Sequence, residues 1–182
     1  RFPKGTKIRL VQTTTKYFYV IAAAMSGSDT LVTITGGSDY SLANAAITNP
    51  AYSYAGTPQG FPQWFNWTPT FTGVSVSPQG THRFAVSGKT VNFTIREAVP
   101  GTSNSTTFKM TAPITPNTGI SNLIWLGACL LINANVPANL FSRWVIREGI
   151  PDIEFGIDAD TAGGFSGSGS IYVPGCEGFY EF

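Results

Sequence analysis

The stretch GFPQWFNWTPTFTG, residues 60–73, decides how the rest of the chain is organised. Pro62 and Pro69 interrupt any helix and push the residue before each of them to extended geometry. Four aromatic side chains must therefore be anchored from an extended segment: Trp64, Phe65, Trp67 and Phe71. Because the sequence pattern differs before and after this stretch, we interpret it as the junction between a small module, 1–60, and a larger one, 61–182. We call residues 60–73 the seam motif.

Composition restricts the class of protein. The chain has 182 residues, of which 42% are hydrophobic and only 12% are charged, about half the roughly 25% of an ordinary soluble domain. The formal net charge is +1 and Lys and Arg form no run, so we expect no nucleic-acid binding. No apolar run approaches the roughly 20 residues that cross a bilayer, so we expect no membrane insertion. The chain starts at Arg1 without Met, and we expect it to be cut from something longer.

The first module reads as β-rich. Strands are predicted at 7–11 and 16–21, joined as a hairpin through the threonines between them, because both segments are rich in β-branched and aromatic residues. A turn signal at 26–29 leads to a third strand at 31–35, and a further strand is predicted at 51–55. Residues 41–47 form the one segment that predicts a short helical turn.

The second module shows sustained alternation. Val91, Phe93 and Ile95 alternate with polar residues, and Gly88, first in a two-residue loop, predicts a type II′ hairpin. About eight short strands separated by Gly and Pro follow residue 70, whereas the tail 175–182 is assigned to no strand. The sequence predicts an all-β fold, a small β-rich N-terminal module followed by a jelly-roll-like antiparallel β-sandwich.

The segment LIWLGACLLI, residues 123–132, is nearly all apolar. A helix is the rival interpretation, but Gly127 in its middle favours a strand buried on both faces. Such a strand needs cover on its second face, either from the other sheet and a loop or from another subunit.

Groups for catalysis are few. His82 is the only histidine, and no nucleophile elbow accompanies it. We therefore expect His82 to be structural or exposed and the chain to be no enzyme. One histidine and two cysteines also lack the spacing of a zinc site, and no cofactor is expected. Cys129 and Cys176 are interpreted as free thiols, with a single bridge between them as the alternative.

Four acidic residues form the one weak metal candidate: Asp152, Glu154, Asp158 and Asp160. On a strand these carboxylates would share a face. This arrangement fits a solvated surface, a calcium site or, with two of the carboxylates, a glycosidase site. The solvated surface is the first interpretation.

Aromatic rings favour binding over catalysis, because flat rings offer large contact area at little entropy cost. Most of the tryptophans and tyrosines will still be core. The candidate glycan or receptor contacts are Trp64, Trp67, Trp144, Asn104 and Asn135. The loops 100–105 and 133–139 are the expected receptor-facing segments.

Two segments resemble a known family. The run WFNWTPTFTG, 64–73, followed by RFAVSGKTVNFTI, 83–95, resembles the start of the β-sandwich module of phage and prophage tail-fibre and minor structural proteins. The segments GTKIRLVQTTTKYFYV and TLVTITGGSDYSLANAAI resemble the compact module that often precedes it.

The resemblance implies a non-catalytic virion protein, assembled in the host cytoplasm. It would be a distal tail-fibre, tail-tip or head-fibre domain that contributes to host attachment. Its partners would be other virion proteins and a bacterial surface glycan or protein receptor. The alternative is a carbohydrate-binding module of a larger polysaccharide- or cell-wall-acting protein, and a glycan depolymerase is a third, less favoured interpretation.

A homotrimer is expected on three grounds. The charge content is low, the apolar run 123–132 needs cover on both faces, and the resembled modules cap trimeric fibres. Closed rotational symmetry would bury an apolar face without leaving an open, polymerising end.

Overall fold

A computed structural model describes residues 2–118, 123–133, 140–156 and 169–182. The described residues form fifteen strands and no helix. In chain order the strands are β1 (Lys7–Gln12), β2 (Thr14–Ser26), β3 (Asp29–Thr35), β4 (Thr48–Ser53), β5 (Phe65–Asn66), β6 (Phe71–Thr72), β7 (Val74–Val76), β8 (Gln79–Ser87), β9 (Thr90–Val99), β10 (Gly101–Ser103), β11 (Phe108–Thr111), β12 (Ile124–Asn133), β13 (Leu140–Arg147), β14 (Asp152–Gly156) and β15 (Gly169–Glu181). The strands pair antiparallel, which confirms the all-β, sandwich-type fold class.

Strands β1 to β4 form a four-stranded sheet in the order β3-β2-β1-β4. The predicted β1–β2 hairpin is present, but only Thr13, with φ of 63°, lies outside the two strands, so the connector is shorter than the threonine run suggests. Gly27, also at positive φ, turns β2 into β3. The helical turn predicted at 41–47 is wrong: the segment is exposed and not helical, and backbone groups of Ala43 and Ala45 bond to the side chain of Gln12 on β1.

The remaining strands form the large sheet, along the path β5-β8-β9-β15-β12-β13-β14-β11-β6, with β10 and β7 branching from β15. Its two edge strands, β5 and β6, are separated by only residues 67–70. The sheet must therefore curl until its edges approach each other. Its inner face then encloses the core, and the tail that the sequence left unassigned becomes part of the central strand β15.

Residues 67–70, which link the edge strands β5 and β6, hold the curl closed with hydrogen bonds to β8 and β11, the strands next to each edge. The N–H of Trp67 donates to the carbonyl of His82 on β8 at 3.0 Å, while the N–H of Thr111 on β11 donates to the carbonyl of Thr70 at 3.0 Å. The indole Nε1 of Trp67 donates to the carbonyl of Thr111 at 3.2 Å. The motif thus joins the two edges of one sheet.

The two sheets meet through an aromatic cluster around Phe65. Tyr19 and Tyr40 of the small sheet's segment lie 4.9 and 5.7 Å from the ring of Phe65. Asp39 accepts hydrogen bonds from the backbone N–H and the side-chain amide of Asn66, each at 2.8 Å. The division of the chain at residue 60 falls between the strands of the two sheets and stays a prediction.

Candidate functional site

The tryptophans proposed as ligand contacts divide into one exposed and two buried residues. Trp64 is 37% exposed, whereas Trp67 and Trp144 are buried. Trp67 lies against the imidazole of His82, 5.4 Å between ring centroids, as part of the seam. Two of the three rings are therefore not offered to a ligand in this structure, and only Trp64 remains a surface candidate.

Trp144 fills the centre of the large sheet's core because two glycines make room for it. Gly127 faces it directly in the β12–β13 register, and a Cβ added to Gly127 would lie 2.7 Å from the indole Cε2. A Cβ added to Gly178 would lie still closer to the indole and 2.5 Å from Cζ of Phe93. The missing side chain of Gly127, the residue that favours a strand in the apolar run, therefore leaves the space that the Trp144 ring occupies.

His82 is buried and belongs to a polar pair inside the large sheet. Its Nε2 lies 3.4 Å from Oε1 of Glu97, and the other carboxylate oxygen of Glu97 accepts a hydrogen bond of 2.6 Å from the N–H of Val173. Since Glu97 is also buried, these contacts compensate the desolvation of its carboxylate. The geometry gives His82 a structural partner across the β8–β9 hairpin.

The acidic candidates are placed only in part, because Asp158 and Asp160 lie outside the described residues. Asp152 and Glu154 do share the outer face of β14, opposite Thr111 and Lys109. Among the described residues, no three His, Cys, Asp or Glu side chains lie close enough to hold a metal ion.

The carboxylate of Glu154 is already engaged by two cations. Lys109 donates to it at 2.5 Å, and Arg147 donates to its second oxygen. Burial alone would raise the pKa of Glu154, but these hydrogen bonds outweigh burial and hold its pKa below the usual range. A calcium ion would have to displace both cations from this oxygen pair.

Cys129 and Cys176 are buried free thiols that face each other in the β12–β15 register. A hydrogen bond between the thiols lowers the pKa of Cys129 and raises the pKa of Cys176, with burial adding to the rise at Cys176. The sequence alone does not show whether the two thiols are close together, whereas the strand register places them side by side.

The asparagine candidates and their loops are only partly placed. Asn104 is exposed next to β10, and its N–H donates to the carbonyl of Gly73 at 3.1 Å. The expected loop 100–105 is partly wrong, because it contains β10, which pairs with both β15 and β7. Asn135 lies outside the described residues.

The outer face of the large sheet carries an exposed apolar strip, formed by Ile124, Leu126 and Phe179. These side chains are 50%, 66% and 62% exposed, and they lie on the neighbouring strands β12 and β15. The expectation that the β12 run is buried on both faces is therefore wrong within one chain: Cys129 and Leu131 point inward, whereas Ile124, Leu126 and Ala128 on the other face are exposed. A signal that could have found Phe179 is the alternation of residues 176–182, which places it on the face opposite Cys176 and Tyr180.

Comparisons with protein-family models, with curated proteins and with solved structures find no match to the chain. The described residues also contain no helix long and apolar enough for a membrane span. The resemblance to phage modules therefore rests on the sequence motifs quoted above and stays a prediction.

Proposed function

We propose that the chain is a non-catalytic structural domain of a phage virion, located in a distal tail fibre, tail tip or head fibre, that contributes to attachment to the host surface. The resemblance at 64–73 and 83–95 suggests a virion protein, and the structural observation that supports an assembly role is the exposed apolar strip on the curled sheet. Monomeric soluble proteins rarely expose contiguous apolar patches larger than a few hundred Å², and protein interfaces are one of the features that such patches mark. The low charge content of 12% adds to this argument, because few charges oppose association.

The occupant of the strip is a second copy of the same chain, in a trimer with closed symmetry. A closed ring covers the strip on every copy and leaves no free end for polymerisation. Trimeric fibres are also what the resembled modules build. The other virion proteins would attach elsewhere, and a bacterial glycan or protein receptor would meet the part of the trimer that stays exposed.

The test of attachment is adsorption of the labelled chain to a panel of bacterial cells, combined with inspection of the genes that flank its coding sequence. Saturable binding to one group of hosts and neighbouring tail or capsid genes support the proposal. A hydrolase domain in the same polypeptide, with no virion genes nearby, refutes it.

A carbohydrate-binding module of a larger protein is the second candidate, and one cleft favours it. Trp64 and Phe179 both line a depression of about 370 Å³, together with Asn92, Thr94 and Glu177. Exposed rings beside amide, hydroxyl and carboxylate groups suit a sugar. The two candidates make opposite demands on Phe179, which is covered by another copy in the trimer and open to a glycan in a monomeric module.

A further inference from the structure

The junction of the two sheets contains a groove that nothing above assigns. It consists of two clefts, of about 380 and 220 Å³, both lined in part by the linker that joins β4 to β5. Lys7, Pro58 and Phe61 line both clefts. Ligand sites occur preferentially where two structural units meet, so a groove at this junction is a candidate site on position alone.

Lys7 is a buried cation at the centre of this groove. Its side chain starts from β1 and is only 5% exposed as a residue, and its Nζ lies 5.6 Å from the ring centroid of Tyr19 and 5.9 Å from that of Phe61. An ammonium group carries three N–H donors. Among the described residues, its one hydrogen bond is to the carbonyl of Ala55, at 3.1 Å.

Among the residues that the structure describes, no carboxylate pairs with this charge. The ion pairs of the described residues do not include Lys7, and neither cleft is lined by an Asp or Glu. Burial accordingly lowers the pKa of Lys7. Arg9, two residues along β1 and therefore on the same face of the strand, is exposed at the rim of the smaller cleft and adds a second positive charge.

The remaining lining matches a sugar ring. Tyr17 and Phe61 meet edge to face with 5.5 Å between centroids and form an aromatic wall beside Arg9. Gln59 stands at the rim of the smaller cleft, and Gln63 and Asn92 at the rim of the larger one. Aromatic walls with a few polar groups at the rim give apolar contact area together with orienting hydrogen bonds.

We propose that this groove binds an acidic saccharide, whose sugar ring packs against Tyr17 and Phe61 and whose anionic group pairs with Lys7 and Arg9. The anion supplies the countercharge that the groove lacks, and it can be a carboxylate or a phosphate. The proposal deepens the proposed function, on which it rests, by naming the chemical class of the host-surface ligand.

Titration calorimetry on the full chain tests the groove with three probes. Trigalacturonate supplies a carboxylate, glucose 6-phosphate supplies a phosphate, and maltotriose is the neutral control. We expect one or both acidic probes to bind, more weakly as salt is raised, because salt screens the charges at the rim. The acidic probe that binds identifies the anionic group. Equal binding of all three probes, or binding of none, overturns the proposal.

Lys7→Met keeps the volume of the side chain and removes its charge. It should weaken binding of the acidic probe by about tenfold or more, the scale of a hydrogen bond to a charged group. Lys16→Met is the matched control, since Lys16 also donates to a backbone carbonyl, that of Ser41 at 2.6 Å, but lines neither cleft. Unchanged affinity in a folded Lys7→Met variant overturns the proposal.

Two further measurements keep the result interpretable. If Lys7→Met does not fold, Arg9→Gln at the exposed rim should still weaken acidic binding several-fold, and unchanged affinity there overturns the proposal. Cell adsorption separates the groove from the wider function. If wild type and folded Lys7→Met adsorb equally well, attachment stands and the assignment of the groove's ligand as the host-surface ligand fails. If wild type adsorbs to no cell, the proposed function fails and the titrations still decide the groove.

Discussion

Replacing Gly178 with alanine should strain the core around Trp144. The added Cβ would lie 2.5 Å from Cζ of Phe93 and nearer still to the indole of Trp144, whereas carbon atoms in ordinary contact are about 3.5–4.0 Å apart. Both rings are buried, so neither can move into solvent. Overpacking of this kind typically costs about 1–3 kcal/mol, and a clash with two rings should lie near the upper end, about 2–3 kcal/mol.

Gly175→Ala on the same strand is the matched control. An added Cβ there meets nothing within 4 Å, so that variant should show only the gain of about 0.5–1 kcal/mol from replacing a glycine inside a strand. Subtracting the two variants removes this backbone term. Urea unfolding followed by circular dichroism at fixed chain concentration measures the difference. A difference below about 0.5 kcal/mol would refute the packing argument, since it falls well below the overpacking cost.

Three other predictions test the polar and thiol contacts. Because the folded-state pKa of Glu154 is lowered, its ion pairs stabilise the fold above the ordinary carboxyl pKa of about 4 and are lost below it. The melting temperature of Glu154→Gln should therefore depend less on pH in acid than that of wild type. Parallel plots of melting temperature against pH for the two proteins contradict this. Tyr180→Phe leaves the N–H and carbonyl of Ile114 without the hydroxyl that joins them, and it should cost about 1–3 kcal/mol in urea unfolding; a change within error argues against that role. Cys129 and Cys176 are buried, so iodoacetamide should modify both in urea but neither in the native chain over the same time, and rapid native modification would show that the site opens.

The sequence predicts a strand or a turn correctly where a single residue type determines the local backbone. Gly88 at φ of 60°, followed by Lys89 without a positive φ, gives the hairpin predicted between β8 and β9. Gly127 correctly separated a strand from a helix in the apolar run. In both cases the information is local, because a tight turn or a missing side chain is decided by the residue itself.

Long-range pairing was not readable in the same way. The motif that suggested a seam between modules also joins two edges of one sheet, which depends on β8 and β11 approaching from distant parts of the chain. Burial of Trp67 and Trp144 follows from that closure, and a tryptophan's own sequence position does not reveal it. Alternation likewise predicts which residues of β12 share a face, but not that Ile124 and Leu126 on the outer face are exposed. Lys7 and Phe61 meet only because the two sheets dock.

Light scattering on the purified chain tests most directly whether the apolar strip is an assembly surface. We predict a monodisperse particle of three times the 19.4 kDa of one chain at micromolar concentration. Leu126→Lys, at the most exposed position of the strip, should lower this mass toward that of one chain while preserving the β-sheet circular dichroism spectrum. A wild-type chain that is a stable monomer at this concentration would contradict the trimer and the role assigned to the strip.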